Sequence, residues 1–177
     1  MGKVITASDS LCLRYYVAGD EEVLYEYTSD LESSKYLARE KHESIAQTKN
    51  MLLRLAIRTS LSVNDSCIWI IADASSSNAL GYLTLVKARN SVEIHFGLLP
   101  AYRGKGHAKE AIKLATQYLL ENMEVSEVVS FTDTTNLSAK SALEKAGFKI
   151  VGVKKEFYSA PLLPGKKRDV YWLRYCA

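Results

Sequence analysis

A chain of 177 residues, 47% hydrophobic and 24% charged, has the length and balance of one globular domain, 1–177, and not of a disordered segment. Lys plus Arg number 23 and Asp plus Glu 20, a net charge of +3. That charge is too small to make nucleic acid or an anionic membrane the main partner, yet it is compatible with an anionic small ligand. No apolar run approaches the ~20 residues of a membrane helix, and the N-terminus lacks the apolar stretch of a secretory signal. The three cysteines at 12, 67 and 176 have no paired spacing. Reduced thiols in a cytoplasmic protein, with no disulfide and no metal site, are the expectation.

Leu11 to Tyr16 alternates in the manner of a strand. Asp20-Glu21-Glu22 then place carboxylates at the start of a helix. His42 to Arg58 reads as a second helix, with Ser44 as its cap and Ile45, Leu52, Leu55 and Ala56 on its apolar side. Cys67 to Ala72 is a buried-strand run, Ser75 to Asn78 a turn, and Leu80 to Lys87 a strand. Arg89-Asn90 is a tight connection into Val92 to Leu99, which Pro100 ends, so two adjacent antiparallel hairpins are expected. Gly106 to Glu121 is a helix with Ala108, Ile112, Ala115 and Leu119 on one face. Val125 to Phe131 is a strand, and Asn136 to Lys145 a short helix stopped by Gly147. Phe148 to Val153 and Asp169 to Tyr175 are strands, joined by a loop with Pro161, Pro164 and Gly165. The order β-α-α-β-β-β-α-β-α-β-β implies a mixed α/β sheet flanked by helices.

Chemistry concentrates between Leu98 and Ala111. A strand runs into a loop with two glycines and two cations, and an amphipathic helix starts at once. Glycines let a backbone approach closely, the first helical turn presents unpaired N–H groups, and Arg103 and Lys105 supply whole charges. This is a phosphate cradle. The nucleotide loop G-x-x-x-x-G-K-[ST] does not fit, and the dinucleotide loop G-x-G-x-x-G meets Lys109 where its third glycine belongs.

Arg103-Gly104-Lys105-Gly106-His107-Ala108 fits R/Q-x-x-G-x-G/A at each fixed position. Here the chain resembles the GCN5-related N-acetyltransferases, the GNAT superfamily. The resemblance implies a mostly antiparallel sheet that splays beside the loop-bearing strand. It implies that Arg103, Gly104, Lys105, Gly106, His107, Ala108 and Lys109 grip the pyrophosphate of acetyl-CoA. It also implies that backbone N–H groups over Gly97, Leu98 and Leu99 face the thioester carbonyl. A second segment, Asn136 to Phe148, looks like the family's N-x-x-[SA]-x-x-x-L-E-K-x-G-F. In the family it lies beside the pantetheine arm, where Asn136 contacts cofactor or an ordered water; read on its own, Asn136 caps a helix, and the two roles are compatible. The resemblance spans about Thr6 to Tyr175. Within the family the chain looks like the branch that acetylates protein N-termini, the ribosomal-protein Rim type, and like the neighbouring spermidine acetyltransferases.

The implied reaction is direct attack of a neutral amine on the thioester, with no covalent enzyme intermediate and no metal. For the general base the resemblance points to Glu93. His95 follows on the same face if the strand is regular, and a bulge would change which residues face the site. The tyrosine that protonates the leaving thiolate in many relatives is Leu143 here, so another group, water or no dedicated acid must serve, with Ser141 and Ser138 the nearby candidates. The acceptor pocket is expected from the Tyr36–Ser44 region, the strand face at Glu93 and the loop Tyr158–Arg168, with Tyr36, His42 and Tyr158 lining it. A protein N-terminal α-amine is the expected acceptor, a spermidine-type amine the alternative. The basic Lys154-Lys155 and Lys166-Lys167-Arg168 clusters argue against a polycation. A non-catalytic acyl-CoA sensor is the reading from another class, kept open by Leu143. The chain is expected as monomer or homodimer, the final strand being able to pair between subunits.

Overall fold

The computed structural model describes residues 2–56, 63–165 and 167–176. Eight strands form one sheet: β1 (Val4–Ala7), β2 (Leu11–Arg14), β3 (Ser66–Asp73), β4 (Ala79–Lys87), β5 (Ser91–Leu98), β6 (Glu127–Asp133), β7 (Phe148–Tyr158) and β8 (Arg168–Tyr175). Their spatial order is β1-β2-β3-β4-β5-β6-β8-β7, antiparallel except for the β5–β6 pair. The helices are α1 (Asp20–Ser29), α2 (Leu31–Ser34), α3 (Ile45–Ala56), α4 (His107–Asn122) and α5 (Leu137–Lys145).

The mixed, mostly antiparallel architecture is as expected, with two additions. β1 has four residues, half of them exposed, and gains its ladder from β2 alone, so its sequence carries no strand period. α2 is a single turn, capped by Asp30, whose carboxylate accepts from the Ser33 N–H at 2.7 Å. α3 starts at Ile45, three residues after His42, because the Ser44 hydroxyl accepts from the Gln47 N–H at 3.4 Å. Ile45 itself is exposed, while Leu52 is fully buried, and the stretch from 57 to Arg58 lies outside the described residues. β7 runs five residues past Val153; its exposed outer half pairs with β8 at Lys154 and Tyr158 and bulges between them, where Glu156 has φ +49 and the Asp169 carboxylate holds Lys155 and the Glu156 N–H.

Two apolar layers cover the sheet. On one face Ala111, Ile112, Ala115 and Leu119 of α4 and Leu143 of α5 pack on Leu83, Leu85, Val92, Ile94, Val128 and Leu173. On the other, Leu24 and Tyr27 of α1 and Leu52 of α3 pack on Ile68, Ile70 and Tyr82. Each fully buried leucine contributes roughly 2 kcal/mol. Among the described residues no helix is long and apolar enough to cross a membrane. Cys12, Cys67 and Cys176 are free.

The register between β4 and β5 decides the site. It runs unbroken from Gly81↔Leu98 to Lys87↔Val92, so β5 has no bulge against β4. The pleat therefore sends Val92, Ile94 and Leu98 toward α4 and sends Glu93 and His95 to the opposite face. Pairing of β5 with β6 covers three positions, Ser91↔Glu127 to Glu93↔Val129, and then stops. Beyond it the two strands part, which is the expected splay.

Candidate active site

The sheet opens where β5 leaves β6. At the fork the Ser130 hydroxyl donates to the Ile94 carbonyl at 2.7 Å, so the Ile94 backbone faces the β6 side. Strand alternation turns the Phe96 and Leu98 N–H groups to that same edge, into the gap. Residue 99 faces back, its N–H donating to the Leu80 carbonyl at 2.9 Å. Of the expected Gly97–Leu99 stretch, Leu98 thus offers a free-facing N–H, and Phe96, which sequence reasoning left out, offers another. Gly97 has a different task. A Cβ there would sit 2.5 Å from the Tyr27 ring, so glycine lets Tyr27 close over the end of β5.

After a single 3₁₀ turn at Pro100–Tyr102, the chain enters α4 through Gly104 (φ +73) and Gly106 (φ +89). Both are in the left-handed region, and nothing lies within 4 Å of a Cβ at either position. Gly106 is the N-cap and no side chain caps it; the first internal bond runs from the Glu110 N–H to the Gly106 carbonyl at 3.1 Å. The N–H groups of His107, Ala108 and Lys109 therefore point out of a sixteen-residue helix with the positive end of its dipole. Lys105 and Lys109 are exposed beside them, and the buried Nδ1 of His107 has no hydrogen-bond partner among the described residues. Glu110 anchors the turn from below, its carboxylate accepting from the Ser8 and Ser10 hydroxyls.

Arg103 is placed differently from the expectation. Its Nε donates to the Leu98 carbonyl at 3.0 Å and its Nη2 to the Ser33 hydroxyl, with the guanidinium 6.0 Å from the Tyr27 ring centre. It ties the loop to the end of β5 and to α2, and does not stand over the helix N-terminus. Asn136 caps α5, its Oδ1 accepting from the Ala139 N–H at 3.2 Å and from the Ser138 hydroxyl at 3.1 Å. Ser141 is half-buried on α5, and Leu143 is 1% exposed in the core beneath it. Both belong to the α4–α5 side of the sheet.

On the opposite face His95 Nε2 and Glu93 Oε1 are 2.7 Å apart, both partly exposed. When Nε2 carries the hydrogen and donates to Glu93, Nδ1 is left as the proton acceptor. The His95 ring meets Phe131 edge-on at 4.6 Å, and Phe131 stacks on Trp172 at 6.0 Å and meets Phe157 at 5.0 Å. These aromatics make one wall of a cleft above the pair. Sequence reasoning missed them because they come from β6, β7 and β8. The end of that wall is pinned by Asp133, whose side chain is fully buried. It accepts from Arg168 Nε at 2.7 Å and Nη2 at 3.0 Å, from Tyr158 at 3.1 Å, and from the Thr135 N–H and hydroxyl at 2.9 and 2.7 Å. Tyr36 reaches the same corner, its hydroxyl donating to the Thr135 carbonyl at 3.2 Å. Burial pushes the Asp133 carboxyl up, but Arg168 and Thr135 outweigh it and hold it down at about 2. Burial and then the Asp133 charge push the Tyr158 phenol up. The run Asp133-Thr134-Thr135 ahead of Asn136 has the form of an Asx turn and was the available signal.

A family model described as the acetyltransferase (GNAT) domain matches residues 10–149. The chain belongs to the GNAT acetyltransferase family. An N-acetyltransferase of Bacillus subtilis (strain 168), YoaA, carrying the description uncharacterised, is 25% identical over 161 residues, covering 86% of this chain and 87% of its own. The crystal structure of a GNAT-family acetyltransferase from Bacillus anthracis superposes with a TM-score of 0.84 at 21% identity, covering 97% of both chains. Spermidine N-acetyltransferase from Vibrio cholerae, solved with CoA and spermine, superposes with a TM-score of 0.77 at 20% identity, covering 94% of this chain and 95% of that one. This GNAT chain is an acetyltransferase. The uncapped start of α4, its open glycines and flanking lysines fit the pyrophosphate of acetyl-CoA, and the gap between β5 and β6 fits the thioester end.

Proposed function

We propose that this acetyltransferase is a cytoplasmic enzyme, one domain over 1–177 acting as monomer or homodimer, that moves the acetyl group of acetyl-CoA to a primary α-amine. The observation that carries this reading is the fork of β5 and β6. The fork opens between an uncapped helix N-terminus on one face and the Glu93–His95 pair on the other. Acetyl-CoA supplies the activated carbonyl. Residues 104–109 hold its pyrophosphate, mainly through backbone N–H groups and Lys105 and Lys109, while Arg103 braces the loop against β5. Phe96 and Leu98 donate to the developing oxyanion. Glu93 and His95 take the proton that the attacking nitrogen loses. Asn136 and Ser141 stand on the face from which the thiolate leaves.

Proton cost favours an α-amine. Its pKa of about 7.7–8.0 puts deprotonation near pH 7.5 at under ~1 kcal/mol, against roughly 4 kcal/mol for a lysine-like amine near 10.4. The Rim-type look of the sequence supports a protein N-terminus as the carrier of that α-amine. The spermidine reading has the Vibrio cholerae relative in its favour, but at 20% identity the shared fold does not choose the acceptor. The sensor reading rests on Leu143, whose place in the core leaves no hydroxyl there; the Glu93–His95 pair above the gap favours an enzyme.

The test combines calorimetry with acetyl-CoA and thiol release with free-N-terminal peptides, amino acids and spermidine. Binding together with release on an α-amine is the expected result. Binding without release on any amine supports the sensor, and absence of binding overturns the proposal.

A further inference from the structure

The Glu93–His95 face continues into an open cavity of about 560 Å³ between α3 and strands β3 and β4. Its floor includes Thr84 and Val86, which stand directly across the ladder from His95 and Glu93. Paired residues on one face have Cβ atoms about 5 Å apart, so cavity and proton-accepting pair are contiguous. Among the described residues the charged lining is Arg39, from the segment between α2 and α3, and Arg54 on α3, with no carboxylate. Arg39 Nη1 donates to the Glu40 carbonyl at 2.8 Å and the guanidinium lies near the Tyr82 phenol, while its buried Nη2 has no hydrogen-bond partner within 3.5 Å among the described residues. Neither arginine has an ion pair among the described residues. Glu40 and Glu43 are exposed, and Glu43 is taken by Lys41 at 2.7 Å. His42 adds no charge at neutral pH, because burial and then the Arg39 charge lower it to about 4.

A buried guanidinium nitrogen without a partner is costly. A planar fork of donors is the natural complement of a carboxylate or phosphate, and a polycation meets repulsion there. Building on the acetyltransferase reading of this site, we propose that the acceptor is a primary amine carrying a carboxylate or phosphate, which Arg39 and Arg54 hold while the nitrogen stands over Glu93 and His95. The nitrogen attacks the thioester carbon, the C–N bond forms, and the C–S bond breaks. The amine proton passes to the Glu93–His95 pair, and CoA leaves as thiol after taking up a proton.

Thiol release from acetyl-CoA with matched amines tests this. One pair is an α-amino acid and its decarboxylated amine, another an aminoalkyl phosphate and its amino alcohol, a third a free-N-terminal peptide with an acidic or a neutral second residue; spermidine stands apart. The expected result is a roughly 10- to 100-fold higher kcat/KM for the anionic member of at least one pair. That pair names the anion and its source. In Arg39→Gln and in Arg54→Gln, which sits on an exposed surface and spares the fold, the advantage is lost, chiefly through KM. Arg39→Lys recovers part of it, and acetyl-CoA affinity by calorimetry stays unchanged. Calorimetric titration of the same amines onto CoA-saturated protein reads the preference without turnover. Equal or better use of the neutral amines or spermidine overturns the inference, as does a preference that survives both substitutions, or no amine bound. The first two leave the acetyltransferase reading standing; acetyl-CoA binding with no amine bound or turned over favours the sensor, and loss of acetyl-CoA binding in the wild-type protein overturns both readings.

Discussion

His95 and Glu93 show what a two-residue spacing does on an unbroken strand. The β4–β5 register keeps them on one face, 2.7 Å apart, at the mouth of the β5–β6 gap. Glu93→Gln and His95→Ala are each expected to lower kcat by roughly 10²- to 10⁴-fold, the usual span for loss of a general base. Acetyl-CoA affinity, measured by calorimetry, is expected to stay unchanged, because its contacts come from α4 and the backbone. A fall in affinity equal to the fall in kcat would place the pair in cofactor binding instead. The pair was legible in the sequence because side-chain alternation along a strand is a local rule. The position of Arg103 was not, since its partners, Leu98 and Ser33, lie 5 and 70 residues away.

At the scale of elements, α4 is a helix built to leave its first turn bare. Gly106 holds φ +89 with no side-chain cap, and so keeps the N–H groups of the first turn aimed outward. Gly106→Ala puts a Cβ into left-handed backbone at a cost of about 1–2 kcal/mol. The expected outcome is a lower midpoint in urea unfolding together with weaker acetyl-CoA binding by calorimetry. Gly152→Ala is the control: Gly152 has no positive φ and nothing within 4 Å of its Cβ, so stability should move by less than about 0.5 kcal/mol. The helix start was readable because its glycines and period are contiguous. The outer half of β7 was not, since Lys154-Lys155-Glu156 is exposed and is held by β8 through a bulge, with the Asp169 side chain as its anchor.

Across the whole molecule, Asp133 joins the end of β6 to β7 and β8 through Tyr158 and Arg168, and to the α2–α3 segment through Thr135 and Tyr36. These segments frame the acceptor cleft. Its carboxyl is held down at about 2 in the folded protein, below the ordinary aspartate value of about 3.9, so the unfolded chain takes the proton first as pH falls. The stability it contributes, roughly 2 kcal/mol, is complete above about pH 4 and is lost as pH falls through about 2. Urea unfolding between pH 5 and 2 should show that decline, to which Glu21 and Asp73, also held at about 2, add; Asp133→Asn should make it shallower while lowering stability at pH 7. A wild-type curve that is flat over this window would refute the assignment.

The sequence by itself determined the strands and helices with a contiguous period, the bare N-terminus of α4, the cap at Asn136 and the shared face of Glu93 and His95. Each depends on residues within a few positions of one another, where backbone geometry is dictated locally. The tertiary structure alone decided where β5 and β6 part, which backbone N–H groups face the gap, and which arginines line the acceptor cavity. Those outcomes depend on sheet register and on contacts between segments far apart in the chain, and no local pattern records which distant residue will be across the ladder.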